Sequence, residues 1–283
     1  MSSRGEAVSH YRLCEGRELH YMEWGAQHQE VVVAWHGLAR TGRDMDDLAG
    51  HLSSHYRVIC PDTLGRGLSQ WSPCPDEEYS LEFYVRQATA LLDQLGIRHC
   101  LWVGTSMGGA IGLVAAAGAL RGRIRRLLLN DIGPELAPEA LARIRGYAGA
   151  PQAFDTVTEL EQYFRRIYAP YGWLSDTQWR RLCETSLRRL PDGRVTPHYD
   201  PAMVRQFVTR PDDYSRWTEW DSLDLPVLCL RGESSDLLTV DTAEAMRSRG
   251  PRAVVVTIAD CGHAPALNTP VQFSLVERFL AGA

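Results

Sequence analysis

No lysine occurs among the 283 residues; all 30 basic side chains are arginines. That absence removes a Schiff-base or pyridoxal-phosphate lysine and a phosphate-loop lysine. Arginine cannot stand in as a general base, because its guanidinium stays protonated near neutral pH. The seven cysteines are odd in number and scattered, with no C-x-x-C, so neither a zinc site nor a dithiol motif is signalled. Cys60, Cys100 and Cys229 lie in apolar, strand-like runs that suit buried thiols. No apolar run reaches the length of a membrane span, and the opening "MSSRGEAVSHYRL" lacks the apolar core of a secretory signal. A formal net charge of −5 argues against the concentrated positive surface that nucleic acid requires. These absences predict a cytoplasmic protein whose partner is a small molecule, not nucleic acid or a membrane.

The composition that remains, 45% hydrophobic and 23% charged, is that of an ordinary globular protein. The length suits one core carrying an insertion. Residues 10–25 read as two strands about a turn at Glu15-Gly16. From "VVVAWHG" onward, short apolar strands ("RVICPD", "CLWVG", "RRLLLND") alternate with amphipathic helices. That alternation predicts a parallel sheet covered on both faces. It stops at Pro134 and resumes at "PVLCLRGE". We therefore expect a core domain of residues 1–133 and 222–283, with residues 134–221 inserted as a helical cap. The insertion holds many aromatics, among them Phe164, Tyr168, Tyr171, Trp173 and Trp179. They either glue a small subdomain together or line a pocket.

The stretch "GTSMGG", 104–109, follows the strand "CLWV" and opens a helix rich in small residues. It contains G-x-S-x-G in the strand–turn–helix setting of a nucleophile elbow. Gly104 and Gly108 remove side chains that would collide at the sharp turn, and the turn lifts Ser106 to the carboxyl edge of the sheet. A serine hydroxyl is a weak nucleophile and needs a base. Of nine histidines, His263 stands just past the last strand, in "DCGHAPALNTP", and emerges at that same edge. The base needs a carboxylate that lies between serine and histidine in chain order. Asp236, after the strand "PVLCL", ranks first; Asp131 and Glu233 compete, and Asp260 reads as structural. The developing oxyanion needs backbone donors, assigned to the N–H groups of Met107 and Leu38. His36 reads as a brace for that loop, with Gly37 permitting close approach. In the insertion, Arg143, Arg145 and Arg166 either grip a substrate carboxylate or simply face solvent.

On "HGLART" (36–41), "DTLGRGLS" (62–69), "GTSMGG", Asp236 and "GHAPALNTP" (262–270), the chain resembles the α/β-hydrolase superfamily over nearly its whole length. The "SMGG" form is similar to small-molecule esterases, enol-lactonases, C–C bond hydrolases and cofactor-free haloperoxidases. The resemblance implies an α/β-hydrolase fold, no metal or organic cofactor, and a bracing role for Asp62, Gly65, Arg66 and Gly67. Ala264 replaces the tryptophan that C–C hydrolases often carry after the histidine, and serine at 106 disfavours the aspartate-nucleophile branches. The expected activity is hydrolysis of a small to medium, partly apolar carboxylic ester. The alternatives are C–C bond or lactone hydrolysis with the same triad, a non-catalytic ligand-binding protein on this fold, and an interaction protein whose aromatics form an outer patch.

Overall fold

The computed structural model describes residues 6–282, the Tyr147 side chain apart. The ends of the expected core, residues 1–5 and 283, lie outside the described residues. Ten strands form. They are β1 (Val8–Cys14), β2 (Arg17–Trp24), β3 (Val31–Trp35), β4 (Arg57–Pro61), β5 (Cys100–Thr105), β6 (Ile124–Asn130), β7 (Leu187–Arg189), β8 (Val195–Pro197), β9 (Val227–Gly232) and β10 (Val254–Ile258). Eight of them make one sheet in the order β1-β2-β4-β3-β5-β6-β9-β10. β2 runs antiparallel to β1 and β4, and the rest of the sheet is parallel.

β3 and β9 are buried at every position and show no alternation, because helices cover both faces. One apolar cluster fills each side of the sheet. Cys60, Cys100 and Cys229 are buried in them as free thiols. The opening hairpin turns at Glu15 and Gly16, both at positive φ. Because β3, β5, β6, β9 and β10 are parallel, their carboxyl ends share one edge. The register sets Trp35 beside Gly104, Thr105 beside Asn130, and Asn130 beside Leu230.

Between β6 and β9 the chain departs from the sheet. The helices Val157–Ile167 and Asp176–Glu184 each start in a capping box, Thr156 with Glu159 and Ser175 with Gln178. Leu160, Phe164, Trp179 and Val195 close a separate small core. Ile144, Tyr199, Met203 and Tyr214 instead join the main core. The insertion also contains an antiparallel hairpin, β7–β8, which the sequence does not predict; strands of three residues are too short to show alternation. Among the described residues no helix is long and apolar enough to cross a membrane.

Candidate active site

Ser106 joins β5 to the helix Met107–Ala117 with φ 51° and ψ −120°, a conformation that an L-residue holds only when its surroundings fix it. The surroundings do so. A Cβ on Gly104 would strike the Gly108 carbonyl and the Gly109 amide, and one on Gly108 would strike the Trp35 carbonyl. Only glycines let strand, helix and neighbouring strand pack this closely. The Ser106 N–H donates to the Asn130 carbonyl at 2.9 Å, tying the turn to the end of β6.

The structure brings Ser106 and His263 together: Oγ lies 2.9 Å from His263 Nε2. On the other side of the ring, Nδ1 is 2.8 Å from Asp131 Oδ2. An ionised carboxylate only accepts, so Nδ1 carries the proton and Nε2 is left to accept from the serine hydroxyl. Asp131 is fully buried. Its Oδ1 accepts the Gly232 N–H at 2.8 Å and its Oδ2 also accepts the Ser235 hydroxyl at 2.6 Å. Asn130 Nδ2 donates to the Pro265 carbonyl at 2.8 Å and to Thr105 Oγ1 at 3.0 Å, which fixes the histidine loop to β6.

The carboxylate behind His263 is therefore Asp131, which corrects the ranking that put Asp236 first. β6 pairs directly with β5, so the residue that follows it stands beside the nucleophile's own strand, where the His263 ring meets Ser106. Asp236 is 54% exposed in its side chain and accepts two bonds from Arg143, at 2.9 and 3.0 Å. Glu233 and Asp260 are exposed. Ser235, which braces the acid, carries no distinguishing sequence signal. The signal for Asp131 was the polar pair Asn130-Asp131 directly after the apolar run Leu127-Leu128-Leu129.

The loop after β3 approaches the nucleophile closely: a Cβ on Gly37 would lie 3.5 Å from Ser106 Cβ. Among the described residues neither the Leu38 nor the Met107 N–H has a hydrogen-bond acceptor. His36 is buried beneath this loop. Its Nε2 accepts the Thr63 N–H at 2.9 Å, so Nδ1 is the protonated nitrogen, and it donates to the Gly37 carbonyl at 2.6 Å. Burial, the largest influence, pushes its pKa down to about 4. Arg66, also fully buried, donates through Nε to the Leu38 carbonyl at 2.8 Å.

A cavity of about 550 Å³ opens in front of Ser106 and His263, with Leu38, Arg40, Ile144, Ile167 and Tyr168 on its walls. Ile144, Ile167 and Tyr168 come from the insertion, which thus contributes to the wall of this cavity. Arg143 is committed to Asp236, Arg166 lies over the Tyr163 ring, and Arg145 is exposed. No group of three or more His, Cys, Asp or Glu side chains among the described residues is arranged to hold a metal ion.

A second Ser–His–Asp chain exists elsewhere. Ser9 Oγ is 2.9 Å from His20 Nε2, whose Nδ1 is 2.7 Å from Asp62 Oδ2. Asp62 also accepts the N–H groups of Gly42 and Leu68, at 2.6 and 2.9 Å. Burial raises its pKa, but these bonds and the neighbouring histidines outweigh that and hold it below the usual carboxylate value. Here the serine lies within strand β1 and not at a strained elbow, and the chain of contacts staples β2 to the loop after β4.

An elbow serine at the edge of a largely parallel sheet, with a histidine–aspartate pair behind it, defines a hydrolase of the α/β class. Residues 31–274 match the alpha/beta hydrolase family, and the chain belongs to it. It is 39% identical over 273 residues to the 3-hydroxybutyrate-oligomer hydrolase of Cupriavidus necator, covering 93% of this chain and 92% of that one. It resembles the crystal structure of an α/β hydrolase from Novosphingobium aromaticivorans, 34% identical, with TM-score 0.86 over 99% of both chains. It is also 26% identical to the 2-hydroxymuconate semialdehyde hydrolase of a Pseudomonas species, over 82% of this chain and 79% of that one.

Proposed function

We propose that this chain is a serine esterase that cleaves short ester oligomers of 3-hydroxyacids through an acyl-enzyme. The observation that carries the reaction type is the unbroken run from Ser106 Oγ through His263 to Asp131, with contacts of 2.9 and 2.8 Å. The substrate class is supported by the 39% identity to the oligomer hydrolase of Cupriavidus necator.

Ser106 Oγ attacks the ester carbonyl carbon while its proton passes to His263 Nε2. The imidazolium that forms is stabilised by Asp131. The tetrahedral oxyanion sits against the free N–H groups of Leu38 and Met107, donors already oriented before reaction. Collapse breaks the bond to the alcohol oxygen, which takes the proton from Nε2 and leaves as a hydroxyacid. Water then gives its proton to Nε2 and attacks the acyl carbon; the second collapse returns the proton to Ser106. Every step uses groups of the chain, the substrate and water. Residues 134–221 act as the cap that shapes the acyl and alcohol sites. The seven thiols, all free, fit the reducing cytoplasm in which we place the enzyme.

The test pairs an active-site label with a substrate panel. A fluorophosphonate should label the wild type and spare Ser106→Ala; equal labelling removes Ser106 as nucleophile. The dimer and trimer of 3-hydroxybutyrate should yield monomer by mass spectrometry. The similarity to the Pseudomonas hydrolase makes a vinylogous diketone the sharpest comparison. Its turnover, without turnover of any ester, would replace this assignment with C–C bond hydrolysis, and a purely ligand-binding protein predicts no labelling.

A further inference from the structure

Arg40 stands two positions beyond Leu38 in the loop that faces Ser106, and it is only 3% exposed despite its charge. Its Nε and Nη2 donate to Asp44 at 2.8 and 2.7 Å, and Nη2 also donates to Ser186 Oγ at 2.8 Å. The guanidinium carbon lies 4.6 Å from the centre of the Tyr168 ring and 5.4 Å from that of Phe164. The side chain is thus clamped from the core side by Asp44 and from the insertion by two rings and a hydroxyl. Among the described residues Nη1, although buried, has no hydrogen-bond partner. An orphaned buried donor carries a free-energy cost; Arg123 Nε and Arg188 Nε are orphaned too, but neither residue lines the cavity before Ser106.

Arg40 lines the same cavity as Ser106 and His263, and so does the Tyr168 ring over it. The other charged side chains on that wall are Arg143 and Asp236, paired with each other, and exposed Asp260. Arg40 therefore offers a fixed, desolvated cationic donor there. We propose that, as substrate enters and the Tyr168 ring turns aside, Arg40 Nη1 donates to the carboxylate of the hydroxyacid that leaves.

The inference rests on the esterase function proposed above and makes it more specific. In a 3-hydroxyacid oligomer the free carboxylate lies a two-carbon spacer beyond the terminal ester oxygen. Once Leu38 N–H holds the oxyanion, a donor on the same short loop suits a carboxylate at that spacing. The enzyme then releases monomers from the acid end and discriminates against esters that lack a free acid.

The experiment compares kcat/KM for the 3-hydroxybutyrate dimer as free acid and as methyl ester. The wild type should prefer the acid, and Arg40→Gln should shrink that preference by about 10- to 100-fold, the loss expected for a hydrogen bond to a charged group. Fluorophosphonate labelling of the variant checks that the triad is still assembled. If Arg40→Gln fails to fold around its stranded Asp44, the pair Arg40→Gln/Asp44→Asn replaces it. One arm needs no variant: 3-hydroxybutyrate should inhibit the wild type more strongly than its methyl ester. Equal inhibition, or a preference that Arg40→Gln leaves intact, overturns the role of Arg40 while the esterase function stands. A wild type that cleaves neither dimer and takes no label removes the esterase function and this inference with it.

Discussion

Asp131 reaches His263 from the strand beside the nucleophile's own, with Oδ2 2.8 Å from Nδ1, and β6 pairs directly with β5. Asp236, one strand further out, meets Arg143 instead. Replacing Asp131 by Asn turns an acceptor into an amide and favours the wrong imidazole tautomer. Asp131→Asn should therefore lower kcat by about 10⁴-fold. Asp236→Asn removes only an exposed ion pair, worth about 0–1 kcal/mol, and should change kcat/KM by less than about tenfold. Steady-state kinetics on a p-nitrophenyl ester measures both; the opposite ranking would return the acid's role to Asp236.

Arg66 holds the loop that carries the proposed oxyanion donor Leu38. Besides its bond to the Leu38 carbonyl, Nη1 donates to the Leu64 carbonyl at 2.6 Å and to Tyr84 Oη at 2.8 Å. These bonds fix the backbone next to the Leu38 N–H. Arg66→Met should lower kcat by about 10- to 100-fold with a much smaller change in KM, because the oxyanion exists only after attack. A proportional rise in KM alone would mean that Arg66 shapes binding and not the transition state.

The elbow and the histidine were legible because local geometry demands them. Gly104 and Gly108 cannot carry a Cβ, and His263 lies in the loop after the last strand, β10. The acid was not legible in the same way. Asp131 and Asp236 both follow apolar strands, both end at the carboxyl edge, and both lie between Ser106 and His263 in the chain. What separates them is the spatial order β5-β6-β9, which sequential order does not encode. Arg40 is hidden for another reason. Thirty arginines give no hint which will carry a buried, unpaired donor beside the cavity.

His36 makes stability depend on pH. Its folded pKa of about 4 lies below the ordinary value of roughly 6.5 for an unfolded histidine. Between those values the unfolded chain binds the proton and the folded chain does not, so stability rises with pH through this window. The contribution is present above about pH 6.5 and is lost as the pH falls toward 4, on the order of 3 kcal/mol in total. Urea unfolding at intervals from pH 7 to 4.5 should show that decline, and His36→Gln, which keeps an acceptor for the Thr63 N–H, should flatten it. Identical slopes in the two proteins would assign the acid sensitivity to other groups.

Ser9, His20 and Asp62 match the spacing of the Ser106–His263–Asp131 run, with contacts of 2.9 and 2.7 Å, and they provide an internal control for what makes a serine reactive. Ser9 lies within an edge strand in ladder register with Met22, whereas Ser106 projects from a positive-φ turn at a helix start. The donors proposed for the oxyanion, the N–H groups of Leu38 and Met107, belong to the loop after β3 and to the elbow itself. If hydrogen-bond spacing alone conferred nucleophilicity, both serines would take an organophosphorus label. Peptide mapping after fluorophosphonate treatment should instead find the label on Ser106 alone, and Ser9→Ala should label and turn over as the wild type does. His20→Ala, by contrast, strands a buried carboxylate and should lower the unfolding free energy by about 3–5 kcal/mol. Phosphonylated Ser9 would mean that the proton relay outweighs the elbow and its amide donors in activating a serine.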